Sequence, residues 1–165
     1  MSGAIVWFTG LPASGKTTLA ERLRAQLAEH GRTAIVLDGD TMRDVLGVHG
    51  YGEADRAAFY RTLGQLAALI ANQGVVVLVP ATAPQREHRD PARRGDHRFV
   101  EVWVDAPLAE CEARDFKDLY ARAHRGELHD VPGVGVPFEP PEHPDVIARG
   151  GLDDAALAAL EALLA

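Results

Sequence analysis

The chain alternates short runs of consecutive apolar residues with longer segments in which apolar residues recur every three or four positions. The first pattern is typical of strands buried in a sheet, and the second places apolar side chains on one face of a helix. Leu19, Leu23 and Leu27 show the helical spacing, and the run 75–79 contains only Val and Leu. The pattern predicts strands at 4–9, 33–37, 75–79 and 99–104, and helices at 16–30, 41–46, 53–72, 107–114 and 153–165.

Strands that alternate with helices indicate a parallel sheet, because a crossover through a helix lets the next strand run in the same direction. We therefore expect an α/β fold, a three-layer sandwich of the P-loop nucleoside triphosphate hydrolase type around a mostly parallel sheet. With 165 residues, 47% of them hydrophobic, the chain suits a single domain with one sizeable core. The Pro- and Gly-rich segment 131–144 is expected to be a surface loop.

The run Gly-Leu-Pro-Ala-Ser-Gly-Lys-Thr at 10–17 matches the phosphate-binding loop G-x-x-x-x-G-K-[ST], between a predicted strand and a predicted helix. In such a loop, glycines let backbone N–H groups turn toward phosphate oxygens, and the helix N-terminus adds partial positive charge. The lysine reaches the β- and γ-phosphates, and the hydroxyl holds Mg²⁺. The motif predicts a Mg-ATP site at Gly10, Ala13, Ser14, Gly15, Lys16, Thr17 and Thr18.

Two carboxylates follow the second predicted strand, in the run Leu-Asp-Gly-Asp-Thr-Met-Arg at 37–43. Ligands of open α/β sheets bind at this edge. Asp38 or Asp40 can accept the proton of an attacking hydroxyl or hold water on Mg²⁺, and Arg43 can bind an anionic group of the acceptor. Taken alone, the pattern also suits an Asp helix cap. Beside a phosphate loop it favours a kinase, with Lys16, Asp40 and Arg43 as catalytic residues and Thr17 and Asp40 as metal ligands.

Other classes of protein share the phosphate loop, including GTPases and ATP-driven motors. The length of 165 residues suits a small metabolite kinase better than a motor. The chain has no Asn-Lys-x-Asp motif for reading guanine, and the strand 75–79 runs into Pro-Ala-Thr rather than ending in an acid. We therefore expect an enzyme that transfers the γ-phosphoryl group to a hydroxyl of a small molecule.

The charge of the chain argues against nucleic acid as a partner. Its formal net charge is −7, so long-range attraction to a nucleic-acid backbone is weak. Local groups among its 17 Lys and Arg residues can still bind a small anion. One basic run, Arg86, Arg89, Arg93 and Arg94, suits a solvated helix face; the alternative is that Arg86 or Arg89 helps to bind an acceptor anion. The expected partner is a small anionic substrate.

Further absences in the sequence narrow the class of protein. No run approaches the roughly 18 apolar residues of a membrane helix, and the first residues lack the basic start of a signal peptide. These features favour a cytoplasmic protein without a membrane partner. Cys111 is the single cysteine, which allows no internal disulfide and does not suffice for a zinc site.

More motifs follow in a fixed order: Gly50-Tyr51, Asp55-Arg56, Pro84 with Arg86 and Arg89, then 101–108, 111–117, Leu119-Tyr120 and 137–141. Together with the phosphate loop and 37–43, they resemble the adenylylsulfate kinase (APS kinase) family up to about residue 144. The resemblance implies an ATP-dependent transferase of sulfate assimilation. Such an enzyme phosphorylates the 3′-hydroxyl of adenosine 5′-phosphosulfate to give 3′-phosphoadenosine 5′-phosphosulfate and ADP. It also suggests a homodimer.

The resemblance implies roles for individual residues. Asp40 matches the acid that faces the substrate hydroxyl and the metal. Arg43 and Arg56 match arginines that grip the phosphosulfate end of the acceptor. Tyr51 falls where the family has an aromatic ring, usually Phe, that stacks on the adenine of the acceptor.

Two further matches concern the donor and a lid. Arg114 lies near the place where the donor adenine would pack. Lys117 matches a lysine of a mobile segment over the site. Residues 116–141 are expected to form this lid within a single kinase domain that spans 1–165.

Several positions depart from the family pattern. Phe59 stands where the family usually has Asn, Thr82-Ala83 where it has Ile-Ser, and Val131 where it has a Phe that closes over the base. The pocket has either repacked, with Phe59 or Phe138 supplying a ring, or it accepts another phosphate-bearing small molecule or nucleotide. A catalytically weak nucleotide-binding regulator is a third class. The expected substrate site is Asp38, Asp40, Arg43, Tyr51, Arg56, Phe59, Thr82, Ala83, Lys117 and Phe138.

Overall fold

The computed structural model describes residues 3–165. Strands and helices alternate along this part of the chain, and no helix in it is long and apolar enough to cross a membrane. Short 3₁₀ turns, Arg86–His88 and Asp90–Arg93, precede the fourth strand. The elements are β1 (Ala4–Thr9), α1 (Lys16–Glu29), β2 (Ala34–Val36), α2 (Gly39–Leu46), α3 (Glu53–Ala71), β3 (Val76–Pro80), β4 (Arg98–Val104), α4 (Leu108–Arg114), α5 (Leu119–His124), β5 (Val146–Ala148) and α6 (Asp154–Leu164).

The strands form one parallel sheet in the order β2-β3-β1-β4-β5. Ile5 of β1 lies opposite Val77 of β3 on one side and opposite Phe99 of β4 on the other. Because β1 is central and covered on both faces, all of its residues are buried, which explains its unbroken apolar run.

Two apolar layers pack on the sheet. Alternate residues of β1 point to opposite faces, so that Val6 and Phe8 meet α1 and α6, whereas Ile5 and Trp7 meet α3. Leu23 of α1 is fully buried in the first layer. Helices therefore cover both faces, and the predicted three-layer α/β fold of the P-loop type is confirmed.

The observed boundaries differ from the predicted ones by a few residues at most. The largest shift is at α2, which begins at Gly39 because the Asp38 carboxylate caps it from one residue earlier. Asp153 caps α6 in the same way, accepting from the Ala156 N–H at 3.0 Å. The pattern of apolar residues did not predict α5, β5 or the two 3₁₀ turns. The strand β5 has only three residues and follows a Pro-rich segment, so periodicity does not reveal it.

Candidate active site

A cleft of about 710 Å³ opens where β1, β2 and β3 end, beside the start of α1. Carboxyl ends of parallel strands meet at one edge of a sheet, so motifs far apart in sequence converge here. The cleft brings together most of the predicted residues: Ala13, Ser14, Gly15, Lys16, Thr17, Thr18, Asp38, Asp40, Arg43, Tyr51, Arg56, Phe59, Thr82, Arg114 and Lys117.

The phosphate loop is shaped by close backbone packing. Gly15 has a φ of 102°, which favours glycine, and a Cβ on it would lie 2.4 Å from the backbone nitrogen of Gly151. The Gly150–Gly151 turn before α6 thus supports the loop from behind. The Ser14 hydroxyl is buried and has no hydrogen-bond partner within residues 3–165. An unpaired buried hydroxyl in such a loop fits a cradle for phosphate oxygens.

Lys16 lies at the start of α1 with 9% of its surface exposed. Its ammonium donates hydrogen bonds to the carbonyl oxygens of Gly10 at 3.0 Å and Leu11 at 2.7 Å. Burial lowers the pKa of Lys16 from 10.5 to about 8, although Asp40 and Asp38 act in the opposite direction. A poorly solvated cation at the loop is well suited to bind phosphate.

Asp38 joins the phosphate loop to α2. One carboxylate oxygen accepts a hydrogen bond from Thr17 Oγ1 at 2.7 Å. The other accepts from the backbone N–H groups of Asp40 and Thr41 at 3.0 and 3.1 Å. The carboxylate of Asp40 itself is largely exposed and forms an ion pair with Lys117.

The oxygen donors of Thr17, Asp38 and Asp40 suit a hard cation such as Mg²⁺. Within residues 3–165, no cluster of three or more His, Cys, Asp or Glu residues could hold a metal ion by itself. A magnesium ion at this place would complete its coordination with phosphate oxygens and water, as it does in phosphoryl-transfer sites.

The part of the cleft lined by Arg43, Tyr51, Arg56 and Phe59 is cationic and aromatic. The Arg43 guanidinium lies between the rings of Tyr51 and Phe59, with Cζ 4.2 Å from each centroid, and Nη1 donates to the Gly50 carbonyl oxygen at 2.9 Å. Arg56 donates to the Asp130 carbonyl oxygen at 2.6 Å. These two arginines place positive charge in the same cleft as the phosphate loop, an arrangement that suits the binding of an anion.

A strained turn after β3 forms another wall. Ala83 is fully buried with a φ of 42°, a left-handed conformation that is unusual for a residue with a side chain. Thr82, one residue earlier, lines the cleft. Four side chains hold the turn: Trp7 Nε1 donates to the Ala81 oxygen, Thr9 Oγ1 to the Thr82 oxygen and Arg89 Nε to the Ala83 oxygen, while the Tyr60 hydroxyl accepts from the Ala83 N–H.

Replacing Tyr60 with phenylalanine is expected to lower the free energy of unfolding by about 1–3 kcal/mol, because the buried Ala83 N–H loses its acceptor. Tyr60 is buried against His88, whose pKa is lowered to about 4 chiefly by burial, so this neighbour is neutral at pH 7. Urea unfolding checks the expectation. Tyr51→Phe is the matched control, since this hydroxyl makes no hydrogen bond within the described residues, and equal loss in both variants would contradict the assignment.

The predicted lid segment is fixed at both ends. Near its start, the Tyr120 hydroxyl donates to the Pro12 carbonyl oxygen at 2.7 Å, and Asp115 accepts from the N–H groups of Tyr120 and Ala121. Near its end, the Glu139 N–H donates to the Pro84 carbonyl oxygen at 2.7 Å. Between these anchors, Lys117 reaches across the cleft to Asp40. That residues 116–141 move as a lid stays a prediction.

Three predicted residues lie outside the cleft wall. Gly10 lies behind the phosphate loop, where a Cβ would be 2.5 Å from the Val104 carbonyl oxygen. Ala83 is fully buried in its turn. Phe138 lines a separate hollow of about 510 Å³ beside Trp103, and the Arg89 guanidinium lies 5.6 Å from its ring. Neither Ala83 nor Phe138 lines the cleft, and a contact of either with the acceptor stays a prediction.

The basic run after β3 is mostly structural. Arg89 is fully buried, donates to the carbonyl oxygens of Ala83 and Glu139, and lies 3.7 Å from the Glu101 carboxylate. Arg93 binds the same carboxylate at 2.7 Å. Neither Arg86 nor Arg89 lines the cleft, and a contact of either with an acceptor anion stays a prediction.

Some cleft residues were not predicted for the site. Gly151 and Leu152 line the cleft beside the phosphate loop, and Tyr120 of α5 donates to the Pro12 carbonyl oxygen of that loop. Tyr60 lies next to the turn that contains Ala83. The Gly-Gly pair before the last helix was the signal that could have suggested the first two. No feature of the sequence suggested Tyr60, because its position in the helical repeat is that of an ordinary core residue.

Comparison with known families decides the family of the chain. A family model described as adenylylsulphate kinase matches residues 2–149. The chain belongs to this family. The phosphate loop, the Asp38–Asp40 pair and the arginines of the cleft all fall within the matched range.

Individual members of the adenylylsulfate kinase family are similar over nearly their whole length. The chain is 46% identical over 147 residues to the adenylyl-sulfate kinase of Paraburkholderia xenovorans, covering 88% of this chain and 82% of the relative. It is 46% identical over 169 residues to that of Chloroflexus aurantiacus, covering 98% and 91%. The structure of the Mycobacterium tuberculosis APS kinase CysC with AMPPNP and APS superposes with a TM-score of 0.91 at 41% identity, covering 99% of both chains.

Proposed function

We propose that the chain is an adenylylsulfate kinase, which transfers the γ-phosphoryl group of ATP to the 3′-hydroxyl of adenosine 5′-phosphosulfate. The products are 3′-phosphoadenosine 5′-phosphosulfate and ADP. The observation that carries the proposal is one continuous cleft, which joins a phosphate loop, an acidic pair and two buried arginines. The solved neighbour at 41% identity is described with AMPPNP and APS, which supports the same pair of ligands here.

The donor half of the cleft suits ATP. The loop N–H groups and Lys16 would hold the β- and γ-phosphates. Arg114 and Leu152 also line the cleft, and the adenine would lie near Arg114. Thr17 and Asp40, with Asp38 beside them, would hold Mg²⁺. When bound, that ion neutralises the charge that develops on the transferred phosphoryl group.

The acceptor half suits a nucleotide that carries an anionic tail. Arg43 and Arg56 would bind the phosphosulfate, and Tyr51, 44% exposed, offers a ring for the adenine. Asp40 would accept the proton of the 3′-hydroxyl as its oxygen attacks the γ-phosphorus and the bond to the β-phosphate oxygen breaks. Lys117, already paired with Asp40, would add positive charge over the transferred group.

One observation favours a second candidate, a kinase of the same fold for another phosphate-bearing nucleotide. Phe59, which stands at a position where the family usually has Asn, is 2% exposed and is covered by Arg43. It therefore offers neither an amide nor a free ring to the acceptor. Tyr51 is then the exposed ring on which the base of the acceptor can stack. Because stacking alone does not distinguish one base from another, other nucleotides could also be accepted.

An ADP-release assay with Mg-ATP tests both candidates. We expect saturable ADP release that requires adenosine 5′-phosphosulfate, with the 3′-phosphorylated product identified by ion-exchange chromatography. AMP, adenosine and guanosine 5′-monophosphate serve as competing acceptors. ADP release with one of these and not with adenosine 5′-phosphosulfate would overturn the first candidate and support the second.

We also propose that the chain forms a homodimer, in line with its family. Light scattering coupled to size-exclusion chromatography at several protein concentrations measures the mass directly. A constant mass near that of one 17.7 kDa chain would contradict this proposal.

A further inference from the structure

The Arg43 guanidinium in the cleft packs against two aromatic rings at once. Its Cζ lies 4.2 Å from the ring centroids of both Tyr51 and Phe59, so the cation is held between two aromatic rings. Arg43 is 5% exposed. Planar guanidinium groups stack favourably on ring faces, and the attraction grows when the cation is removed from water.

Hydrogen bonding fixes this cation only in part. Nη1 donates to the Gly50 carbonyl oxygen at 2.9 Å, whereas Nη2 is buried and has no partner among the described residues. A guanidinium held by one hydrogen bond can still pivot about that bond unless packing prevents it. The two rings therefore supply the restraint that hydrogen bonds leave out.

Phe59 is the rigid half of this arrangement. Its side chain is 2% exposed and packs edge to face on Tyr60, with ring centroids 5.2 Å apart. Tyr51, by contrast, is 44% exposed and precedes α3. Phe59 follows Arg56 by three residues on α3, so both lie on the helix face that meets Arg43. The buried Phe59 ring therefore gives the guanidinium a fixed surface to pack on, and the exposed Tyr51 ring packs on the same guanidinium from the solvent side.

We propose that Phe59 is a positioning residue for the acceptor: it holds Arg43 in the plane from which Arg43 binds the acceptor anion. In this role Phe59 acts through Arg43, which lies over its ring, and not by binding the acceptor itself. The ring of Phe59 thereby orients the Arg43 guanidinium by stacking, whereas a polar side chain at this position would orient it by hydrogen bonds. The inference rests on the proposed function only in using adenosine 5′-phosphosulfate as the probe acceptor.

The kinetic test is Phe59→Leu, which keeps an apolar side chain and removes the ring. We expect the KM for adenosine 5′-phosphosulfate to rise about tenfold, with the KM for ATP and kcat changed less than about twofold. Phe99→Leu is the matched control, because the Phe99 ring carries Arg93 at 4.5 Å outside the cleft. This control should leave both KM values unchanged.

A double-mutant cycle separates orientation of Arg43 from general loss of packing. In Arg43→Lys the planar group that stacks on Phe59 is absent, so the ring has nothing left to orient. The acceptor KM of the double variant Arg43→Lys, Phe59→Leu should therefore be less than about twofold higher than that of Arg43→Lys alone. Fully additive effects, or an equal rise of both KM values in Phe59→Leu, would overturn the proposal.

A second measurement does not depend on the substrate. In ¹⁵N NMR spectra of the free protein, restricted rotation should give Arg43 two resolved Nη signals, which merge in Phe59→Leu and persist in Phe99→Leu. Merged signals in the unmodified protein would overturn the inference. If adenosine 5′-phosphosulfate is not phosphorylated but the signals behave as expected, the proposed function fails and the positioning of Arg43 stands.

Discussion

Replacing Lys16 with methionine is expected to lower kcat/KM for ATP about 10³-fold, the loss typical of removing one preorganised charge from a transition state. The ammonium donates to the carbonyl oxygens of Gly10 and Leu11, which places it at the mouth of the phosphate loop. Methionine keeps the apolar stem and removes the charge. Steady-state kinetics with saturating acceptor measures the effect.

The fold should tolerate this change. Burial holds the pKa of Lys16 near 8 in the folded protein against 10.5 in an unfolded chain, so below pH 8 the charged lysine opposes folding. Lys16→Met removes this unfavourable charge. Its melting temperature at pH 7 is therefore expected to be no lower than that of the unmodified protein, and a marked fall would mean that the lost activity reports unfolding.

The same pKa makes nucleotide binding depend on pH. ATP binds the charged form of Lys16, and in the free protein that form is lost as pH rises through about 8. We expect the Kd for ATP to rise about twofold between pH 7 and pH 8, and above pH 8 by up to about tenfold per pH unit. Isothermal titration calorimetry checks this. Lys16→Arg, which stays charged, should give a flat profile, and a flat profile in the unmodified protein would contradict the assignment.

Much of this fold follows from its sequence because the sheet is parallel. Buried strands such as β1 and β3 must be apolar on both faces, so they stand out as unbroken runs, and the leucines of α1 mark the helix between them. The strand β5 lacks such a run. Its three residues pair with β4, as Ala148 does opposite Val104, and only that tertiary contact makes them a strand.

The phosphate loop and the acidic pair were also predictable, because their chemistry depends on neighbouring residues in the sequence. Lys16 and Thr17 at the start of α1 meet Asp38, which follows β2, because β1 and β2 end at the same edge of the sheet. The arrangement of Arg43, Tyr51, Arg56 and Phe59 in the cleft was not predictable in the same way. Phe59 and Phe138 are both candidate rings for the acceptor by sequence, but the Phe59 ring lies against the Arg43 guanidinium and Phe138 lies in another hollow. Both outcomes depend on side-chain packing between distant segments.

The second large effect is expected at Asp40. Asp40→Asn should lower kcat about 10³-fold, because the amide can neither accept the proton of the hydroxyl nor bind Mg²⁺ with a negative charge. The backbone of α2 should not change, since the Asp38 cap accepts from the Asp40 N–H and not from its side chain. The ion pair with Lys117 is exposed, and such pairs contribute at most about 1 kcal/mol to stability.

Two control variants separate the possible causes of this loss. Asp44→Asn changes an exposed carboxylate on the same helix and should leave kcat unchanged. Lys117→Met removes the ion-pair partner and leaves the Asp40 carboxylate in place. If Asp40 acts on the hydroxyl and the metal, Asp40→Asn must cost far more in kcat than Lys117→Met. Equal losses would instead mean that Asp40 serves mainly to hold the segment that carries Lys117 over the cleft, and the attacking hydroxyl would then need a different base.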